Sequence, residues 1–537
     1  MLPVLFKGLP YGYDLSHHFQ CAFTFYESFI NGDLYPSWSL FRNMGYGGME
    51  VRLYPPISHY TLALFYLLTQ NWHIATWLTL TFFTIWGSFG IYLWARELIS
   101  VPQAVFAACI YAYLPFHLTQ IYNTFFYAEF VGSAILPFCF AFVARVCKRG
   151  KNSDVVGLAI AFAALILTHL PLTVIGSICL GIYALSFFER EKFIPMLGKL
   201  VSAAIIALAG SSFFWVKVLQ ERDLLAKANV YSDPSLDYRL HFLLTSIQTF
   251  EGYHLEIYEN KLFFYDLMFL CTAGLALSCT LPFIFTSKSK RNLYGVWFVF
   301  ATSVFLVTPF SRFVWDRILF LQETQFPWRW LTVVCITASI LCASRLDQLF
   351  DWFQGKKRPF ALIIGGCILF VITFSICQFV AEAPFVDKDK VQDFIQETEK
   401  AKGFTFWWTP WTRKEIFNIE DKVQAENRNV QIENWTTTER EFQVSAGEAE
   451  NARIAVFYHP NWKATVNNSP VEIKIEENGA VLISLPNQKS DVKLFFEETF
   501  AVQTGGLLSA FTWLGILLFL ISRLNKQFFV NNYENNK

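Results

Sequence analysis

The chain has 537 residues, of which 54% are hydrophobic and only 16% are charged. Soluble domains carry about a quarter charged residues, so this composition indicates a membrane protein. Lysine and arginine balance aspartate and glutamate, 43 against 43. The balance argues against the strongly basic surface that binding of nucleic acid requires.

The start of the chain and its cysteines carry little information about function. The opening segment MLPVLFKGLP is too short to span a bilayer and lacks the form of a signal peptide, which predicts that a first transmembrane helix is missing. Most of the 11 cysteines lie in apolar runs, without a C-x-x-C pair. They are predicted to be small buried hydrophobic residues, not a disulfide framework.

Apolar runs predict about eleven transmembrane helices. The runs cover residues 73–95, 101–118, 125–147, 154–168, 171–188, 195–217, 261–286, 293–309, 330–345, 361–381 and 503–522. The fourth and fifth are separated only around His169-Leu170-Pro171, so they are either two short helices or one kinked helix. The shorter segment 56–70 is predicted to lie in the membrane interface.

Basic clusters between the runs predict the orientation of the chain. They lie at residues 147–151, 190–192, 287–291, 356–358 and 523–526. Such clusters mark the cytoplasmic side, and two spans separate each from the next, so all five fall on one side of the membrane. The protein is therefore predicted to be a multi-pass protein of the plasma (inner) membrane, with residues 1–72 and 384–500 outside and a cytoplasmic C-terminal tail.

The predicted fold is a mainly α, polytopic membrane protein with a small extracytoplasmic β-sandwich-like domain. Charge rises after residue 384, and short alternating stretches separated by turn residues predict strands up to residue 500. The predicted organisation is an outer loop with juxtamembrane helices (1–72), a transmembrane helical domain (73–383), a β-rich domain (384–500) and a last transmembrane helix with a short tail (501–537).

The first candidate site is the stretch YGYDLSHHFQ at residues 11–20, which contains Asp14, His17 and His18. On a helix, Asp14 shares a face with His17 or His18. One interpretation is an N-cap carboxylate followed by two solvated histidines. The other is a carboxylate that acts as a base or metal ligand beside histidines that bind a metal or an anionic headgroup.

The same outer loop is rich in glycine and proline, which fix turns. It contains the stretches Gly45-Tyr-Gly-Gly48 and Leu53-Tyr-Pro-Pro-Ile57. The loop is either only structural, or its turns bring Asp14, Glu50 and Arg52 together over a cavity. In the second interpretation Arg52 and Tyr54 are candidate residues for binding substrate.

Three further candidates lie where apolar runs begin or end. Glu129 starts a span, where a carboxylate is costly unless it has a function or is stabilised by the helix N-terminus. His169 lies at an outer turn, where a hydrogen-bonded structural role is the simpler interpretation. Arg329, in Gln325-Phe-Pro-Trp-Arg329, is either an interfacial anchor or a guanidinium that binds a phosphate.

Phosphate-binding G-x-x-x-x-G-K-[ST], G-x-S-x-G and H-E-x-x-H motifs do not occur in the sequence, which argues against an ATP-driven pump, a hydrolase of that type and a zincin. The motifs that do occur resemble those of a family of large bacterial membrane proteins described as 6-pyruvoyl-tetrahydropterin synthase-related. They are Gly12-Tyr-Asp14 with His17, Gly32-Asp-Leu-Tyr-Pro36, Gly45-Tyr-Gly47, Tyr54-Pro-Pro56, Glu129, Thr168-His-Leu-Pro171, Gln325-Phe-Pro-Trp-Arg329 and Tyr458-His-Pro-Asn-Trp-Lys-Ala464.

That family is similar to the GT-C glycosyltransferases, which use a sugar on a polyprenyl phosphate. The resemblance implies that Asp14 is the essential acidic residue of the first outer loop and acts as base toward an acceptor hydroxyl. It implies that Glu129 is a second acid or helps to hold a divalent metal. Arg329, with His17 or His18, would stabilise the departing lipid phosphate. No cofactor is implied with certainty, although Asp14 and Glu129 are candidates for holding a divalent metal. The implied partners are membrane lipid, the lipid-linked donor and an extracytoplasmic glycan or lipid acceptor.

Two other functions remain open from the sequence. A transporter or flippase for lipid-linked glycans would place ionisable residues in the middle of its spans, whereas Lys199 and Asp266 lie near the ends. A non-catalytic membrane scaffold would use the β-rich domain to bind a partner and would not need Asp14, Glu129 and Arg329 to meet. The pterin-synthase name itself implies a compact three-histidine zinc site in a small αβ fold. The sequence predicts neither the site nor the fold.

Overall fold

The computed structural model describes residues 1–40, 42–225, 237–244, 265–266, 268–279, 293–348, 376–377, 380–399, 401–419 and 421–535. Most of the predicted span 361–381 and parts of the span 261–286 lie outside the described residues.

Helices make up most of the described chain before residue 344. They are α1 (Leu2–Lys7), α2 (Leu15–Ile30), α3 (Glu50–Leu53), α4 (Ile57–Thr69), α5 (Trp72–Arg96), α6 (Val101–Tyr113), α7 (Pro115–Tyr122), α8 (Tyr127–Arg149), α9 (Asn152–Ile166), α10 (Leu170–Leu185), α11 (Phe193–Gly210), α12 (Ser212–Glu221), α13 (Met268–Cys279), α14 (Tyr294–Val307), α15 (Arg312–Trp315), α16 (Leu319–Gln322), α17 (Leu331–Ala343), α18 (Val391–Glu399) and α19 (Phe500–Asn535).

Strands are concentrated in the last quarter of the chain. They are β1 (Gly8–Pro10), β2 (Phe385–Asp387), β3 (Val423–Gln424), β4 (Val430–Trp435), β5 (Glu439–Val444), β6 (Glu450–Phe457), β7 (Trp462–Val466), β8 (Ser469–Val471), β9 (Ile473–Ile475), β10 (Ala480–Leu485) and β11 (Ser490–Phe496).

The described helices confirm a helical membrane protein. Five of them are long and apolar enough to cross a bilayer: α5, the pair α6–α7, α8, α11 and the first 26 residues of α19. The number becomes six if the bent pair that starts with α14 counts as one span. Helices α4, α9, α10, α13 and α17 are apolar but shorter. The count of about eleven spans therefore stays a prediction.

Several predicted spans are broken where the backbone changes direction. The run 101–118 is two helices, because α6 ends at Tyr113 and Pro115 cannot donate a backbone hydrogen bond to continue it. The run 195–217 divides at Ser211 into α11 and α12. The residues around His169 separate α9 from α10, so of the two alternatives for 154–188 the structure has two short helices.

Helix α8 lies at the centre of the helical bundle. We compare the most apolar 18-residue stretch of each helix. The buried share of that stretch is 83% in α8, 44% in α5 and 17% in α19. Small residues on α5 allow the close approach: a Cβ at Gly87 would lie 3.0 Å from Cα of Ala134, and one at Gly90 would lie 2.7 Å from the ring of Phe138. The residues at the start of α8 therefore face the interior.

The β-rich region is built from two antiparallel sheets. One has the strand order β3-β6-β10-β9 and the other β4-β5-β11-β7-β8. Burial alternates along the strands, as in β7 and β11, which is the pattern of a sheet with one face in a core. The sheets share one hydrophobic core, so the predicted sandwich-like architecture is present.

The opening loop and residues 385–399 connect this region to the helices. Trp38, Tyr46, Met49 and Leu53 of the loop are part of the core of the β-rich region. Strand β2 pairs with β1, and α18 packs on α2 and belongs to the core of the helical bundle. Residues near the N-terminus are thus held by both parts of the molecule.

Candidate active site

Helix α2 presents the residues of the first candidate site. Asp14 occupies its N-cap position and is followed by His17 and His18, which are only 4% and 1% exposed. The interpretation of two solvated histidines is therefore wrong, because the apolar packing of α2 encloses both rings. Burial, followed by the charge of Arg42 for His17 and by His59 for His18, lowers the pKa of both well below the usual value, so both are neutral.

His17 belongs to a buried chain of polar groups. Arg42 Nη1 donates to Nδ1 of His17 at 2.9 Å and lies 3.3 Å from Oε1 of Glu50. Since arginine can only donate, the proton of neutral His17 is on Nε2. The glycine-rich turn makes room for this arrangement, because a Cβ at Gly48 would lie 2.1 Å from Oε2 of Glu50.

His18 forms a second pair. Its Nδ1 lies 3.0 Å from Nε2 of His59, a residue of α4, and burial lowers the pKa of His59 to about 3. The ring of Tyr54 lies among the three histidines, with its centroid 5.1, 5.6 and 5.2 Å from those of His17, His18 and His59. The ring of Tyr54 therefore contacts both His17 and the His18–His59 pair.

The segment before Asp14 docks directly on the start of α8. A Cβ at Gly12 would lie 2.3 Å from the carbonyl carbon of Thr124 and 2.6 Å from the backbone nitrogen of Phe125. Only glycine fits at that distance, so the Asp14 loop rests on the turn that leads into α8. The first turn of α8 contains Glu129, which is buried.

Glu129 is held by three groups from separate parts of the chain. Its Oε1 accepts hydrogen bonds from Nε2 of Gln120 at 3.1 Å and from Oγ1 of Thr332 at 3.2 Å. Its Oε2 lies 3.3 Å from Nε of Arg329. Asp14 is near enough for its negative charge to act on Glu129. The structure thus brings Glu129 and Arg329 into contact, with Asp14 within electrostatic range of Glu129.

Arg329 is 12% exposed, whereas its partner Glu129 is 2% exposed. Its Nη1 donates to the carbonyl of Thr324 at 2.7 Å and to Oε1 of Gln325 at 3.2 Å. The guanidinium lies over the ring of Phe326, 4.8 Å from its centroid. Burial raises the pKa of Tyr54. The charge of Asp14 also raises this pKa, whereas the charge of Arg329 lowers it, so Tyr54 lies within electrostatic range of both residues.

His169 is at the same site but has a structural contact. It is the N-cap residue of α10, and its Nδ1 accepts a hydrogen bond from the backbone nitrogen of Leu172 at 3.2 Å. It lies within electrostatic range of Arg329 and of His18. The sequence interpretation of a hydrogen-bonded turn residue describes this contact, and its proximity to Arg329 keeps it a candidate for binding substrate.

Arg52 is not brought to this group. It is fully buried and lies in a separate cluster, which we call the junction, made of Arg52, Lys217, Glu221, His459 and Glu498. Each nitrogen of its guanidinium donates to a protein acceptor: Nε and Nη2 to Glu221 at 2.7 and 2.5 Å, and Nη1 and Nη2 to Glu498 at 2.7 Å. These bonds saturate the donors that a substrate phosphate would need.

The described residues do not supply a full set of protein ligands for a metal. Across the described ranges, no three His, Cys, Asp or Glu side chains are grouped so that they could hold a metal ion. Asp14 and Glu129 offer two carboxylates, and Glu129 is already beside a guanidinium. Metal binding by this pair stays a prediction.

A cavity of about 630 Å³ opens next to Asp14. Tyr13 and Ser16, on either side of Asp14 in the sequence, contribute to its wall. The remaining lining residues are Tyr11, Gly12, Asn123, Pro384, Phe394, Glu397, Thr398 and Ala401. The volume lies within the usual range for small-molecule sites, about 300–1,000 Å³.

Sequence reasoning missed several members of this site. Arg42, His59, Gln120 and Thr332 were not identified as candidates. His59 had a usable signal, because an ionisable residue inside an apolar segment is costly. Gln120 and Thr332 had none, since their role depends on contacts that only the folded chain makes.

These features define a multi-pass membrane protein with a polar site at the start of its central helix. Residues 51–381 match the family described as "6-pyruvoyl-tetrahydropterin synthase related domain; membrane protein". The match covers more than half of the chain, so the protein belongs to this family, as the sequence motifs predicted. No curated protein matches the chain.

Solved structures of membrane glycosyltransferases are similar to this chain at low identity. ArnT of Cupriavidus metallidurans, bound to undecaprenyl phosphate, is 14% identical over 68% of this chain and 61% of its own, with a TM-score of 0.37. The oligosaccharyltransferase of Archaeoglobus fulgidus is 12% identical over 76% and 58%, with a TM-score of 0.43. Arabinofuranosyltransferase AftD from Mycobacteria is 13% identical over 70% and 27%, with a TM-score of 0.39. The chain spans less than two thirds of each of these three proteins.

Proposed function

We propose that the protein is an integral membrane glycosyltransferase of GT-C type, which transfers a sugar from a polyprenyl phosphate to an extracytoplasmic glycan or lipid. The observation that supports this most is the docking of the Asp14 loop on the head of α8. It supports a base close to a cavity whose wall includes Tyr13 and Ser16, and within electrostatic range of Glu129, which pairs with Arg329. A base, a sugar-sized space and a phosphate-binding group are the parts that this reaction needs.

Asp14 acts as the general base in this mechanism. It removes the proton from an acceptor hydroxyl while that oxygen attacks the anomeric carbon of the donor sugar. The bond from the anomeric carbon to the phosphate oxygen breaks, and its electron pair leaves with the lipid phosphate. Because attack comes from the face opposite the phosphate, the configuration at the anomeric carbon is inverted.

Arg329 stabilises the charge that develops on the departing phosphate. A guanidinium offers two parallel donors to phosphate oxygens, and this one, at 12% exposure, is more accessible than the Glu129 carboxylate beside it. Glu129 holds Arg329 in place across a distance of 3.3 Å. His18 is neutral and lies within electrostatic range of His169, so it is a further candidate for hydrogen bonding at this site.

The cavity beside Asp14 has the chemistry of a carbohydrate site. Tyr11, Tyr13 and Phe394 supply aromatic surface for the apolar face of a sugar ring, and Asn123 and Glu397 supply polar groups for its hydroxyls. We therefore place the acceptor in this cavity. The lipid-linked donor would approach from the side of Arg329.

The experiment is an assay on purified full-length protein in liposomes with a panel of polyprenyl-phosphate sugars. Release of polyprenyl phosphate is measured for the wild type, for Asp14→Asn and for the control Asp393→Asn, which changes an exposed carboxylate of α18. We expect Asp14→Asn to lose about 10²- to 10⁴-fold in rate and the control to keep full activity. Full activity of Asp14→Asn with an active donor would disprove the proposal.

A further inference from the structure

Four helix ends meet at the face that the basic clusters predict to be cytoplasmic. They are the end of α8, the start of α9, the end of α10 and the start of α11. A cavity of about 580 Å³ lies among them, lined by Val146, Cys147, Lys148, Arg149, Gly150, Ser186, Phe187, Glu189, Glu191, Lys192, Pro195, Met196 and Lys199. It contains four basic side chains and two carboxylates.

Two of the four cations in this cavity are not neutralised by a carboxylate contact within the described residues. Arg149 pairs with Glu97 at 2.8 Å, and Lys192 pairs with Glu189 at 2.8 Å. Lys148 donates to the backbone carbonyl of Glu97 and lies within electrostatic range of its carboxylate, which already pairs with both Arg145 and Arg149. Lys199 donates to the carbonyl of Gly150 at 2.6 Å. A carbonyl accepts a hydrogen bond but carries no net charge. The cavity therefore keeps excess positive charge.

The position of Lys199 is built into the fold. Gly150 ends α8 with a φ of 60°, in the left-handed region that favours glycine. A Cβ at that position would lie 2.6 Å from Nζ of Lys199. The glycine thus ends the helix and also lets the ammonium group reach the carbonyl, so that Lys199, on an apolar helix, directs its charge to the interface.

An apolar groove continues from the basic cavity into the membrane region. It has a volume of about 510 Å³ and shares Met196 with the basic cavity. Its other lining residues are Val143, Leu158, Phe162, Ser177, Leu180, Gly181, Ala184, Leu185, Phe193, Leu197, Leu200, Val201 and Ala204. A positively charged pocket that opens into an apolar groove matches a ligand with an anionic head and a hydrocarbon chain.

We propose that the basic cavity and the apolar groove together bind one anionic glycerophospholipid. Its phosphate lies between Lys148 and Lys199, and an acyl chain lies in the groove. Basic pockets between transmembrane helices on the cytoplasmic side favour such headgroups. Lys148 is 19 residues along α8 from Glu129, about 28 Å at 1.5 Å per residue. The lipid site is thus separate from the candidate active site and does not depend on the proposed function.

The test measures lipid binding to the purified full-length protein by native mass spectrometry. Phosphatidylglycerol and phosphatidylcholine with the same acyl chains are titrated against the wild type, Lys148→Gln, Lys199→Gln and the double variant. We expect the wild type to prefer phosphatidylglycerol and each substitution to weaken its binding about fivefold. Arg523→Gln, an exposed arginine of α19 outside the cavity, is the control and leaves binding unchanged. Equal binding of both lipids, or an unchanged double variant, would overturn the proposal.

A second pair of variants tests the groove without touching a charge. A Cβ at Gly181 or at Gly198 meets nothing within 4 Å, so both glycines accept a larger side chain. Gly181 lines the groove and Gly198 does not. We expect Gly181→Leu to weaken binding of both lipids and Gly198→Leu to weaken neither. Equal effects of the two substitutions would contradict an acyl chain in the groove.

Discussion

Two arginines, the fully buried Arg52 and the partly exposed Arg329, show how the same side chain can serve different purposes. Arg52 is fully buried in the junction and donates through all three guanidinium nitrogens to Glu221 and Glu498. Arg329 is 12% exposed, and in the described part of the chain its hydrogen bonds come from Nη1. A saturated arginine holds elements together, whereas one that keeps donors facing a site can bind a ligand.

The largest effect on stability is expected at the junction. Arg52→Leu leaves Glu221 and Glu498 without their shared cation, and breaking a buried ion pair costs about 3–5 kcal/mol. Thermal unfolding of the detergent-solubilised protein should show a clearly lower midpoint. The control Lys493→Gln removes two exposed ion pairs, each of which contributes about 1 kcal/mol or less. Equal unfolding midpoints for Arg52→Leu and Lys493→Gln would contradict a stabilising role for Arg52.

Arg329 should affect catalysis far more than stability. Arg329→Gln removes the charge that faces the leaving phosphate, and losing one such group lowers the rate about 10²- to 10³-fold. Initial rates of polyprenyl phosphate release, with the unfolding midpoint of the same preparation, separate the two effects. Arg329→Lys keeps the charge but not the planar fork, so it should recover only part of the rate. If Arg329→Gln has a lower unfolding midpoint but the wild-type rate of polyprenyl phosphate release, Arg329 has a structural role like that of Arg52.

A smaller effect is expected from His459, which lies in the junction 3.9 Å from Glu221. Burial lowers its pKa to about 3, so it stays neutral in the fold while the unfolded chain gains a proton below pH 6.5. Its contribution to stability is therefore full above pH 6.5 and decreases as the pH falls towards 3. His459→Asn, which keeps an acceptor for the backbone nitrogen of Asn461, should reduce the loss of thermal midpoint between pH 7 and pH 5. The same pH dependence in both proteins would exclude this role.

Glu498 is expected to respond at more acidic pH. Burial raises its pKa, but the hydrogen bonds and charge of Arg52 outweigh burial and hold the pKa at about 2. Its contribution is present above its ordinary value of 4.5 and is lost as the pH falls towards 2. In a pH series, Glu498→Gln should therefore differ from the wild type at pH 7 and approach it below pH 3. A constant difference at every pH would contradict this assignment.

The sequence predicted the long apolar helices and the β-rich region well, because both depend on local periodicity. The run that became α8 and the alternation of β11 needed no knowledge of distant residues. The broken spans were harder to predict, since the only local signal for the division between α11 and α12 is Gly210 followed by Ser211 and Ser212.

The candidate site was predictable where an isolated charge interrupts an apolar region. Asp14, Glu129 and Arg329 were identified in this way, and the structure brings Glu129 and Arg329 into contact, with Asp14 within electrostatic range of Glu129. The different role of Arg52 was not predictable, because its partners Glu221 and Glu498 are 169 and 446 residues away. Ion pairing over such separations depends on how the opening loop, α12 and the residues before α19 meet in the folded chain.

The most direct test of the central claim is an experimental structure of the full-length protein with polyprenyl phosphate bound. The account predicts the phosphate beside Arg329, with nitrogen-to-oxygen distances of about 2.7–2.9 Å, and the cavity of Asp14 on its far side. Acceptor and donor would then meet between these two residues. A phosphate bound away from Arg329, or an Asp14 carboxylate turned away from it, would contradict the account.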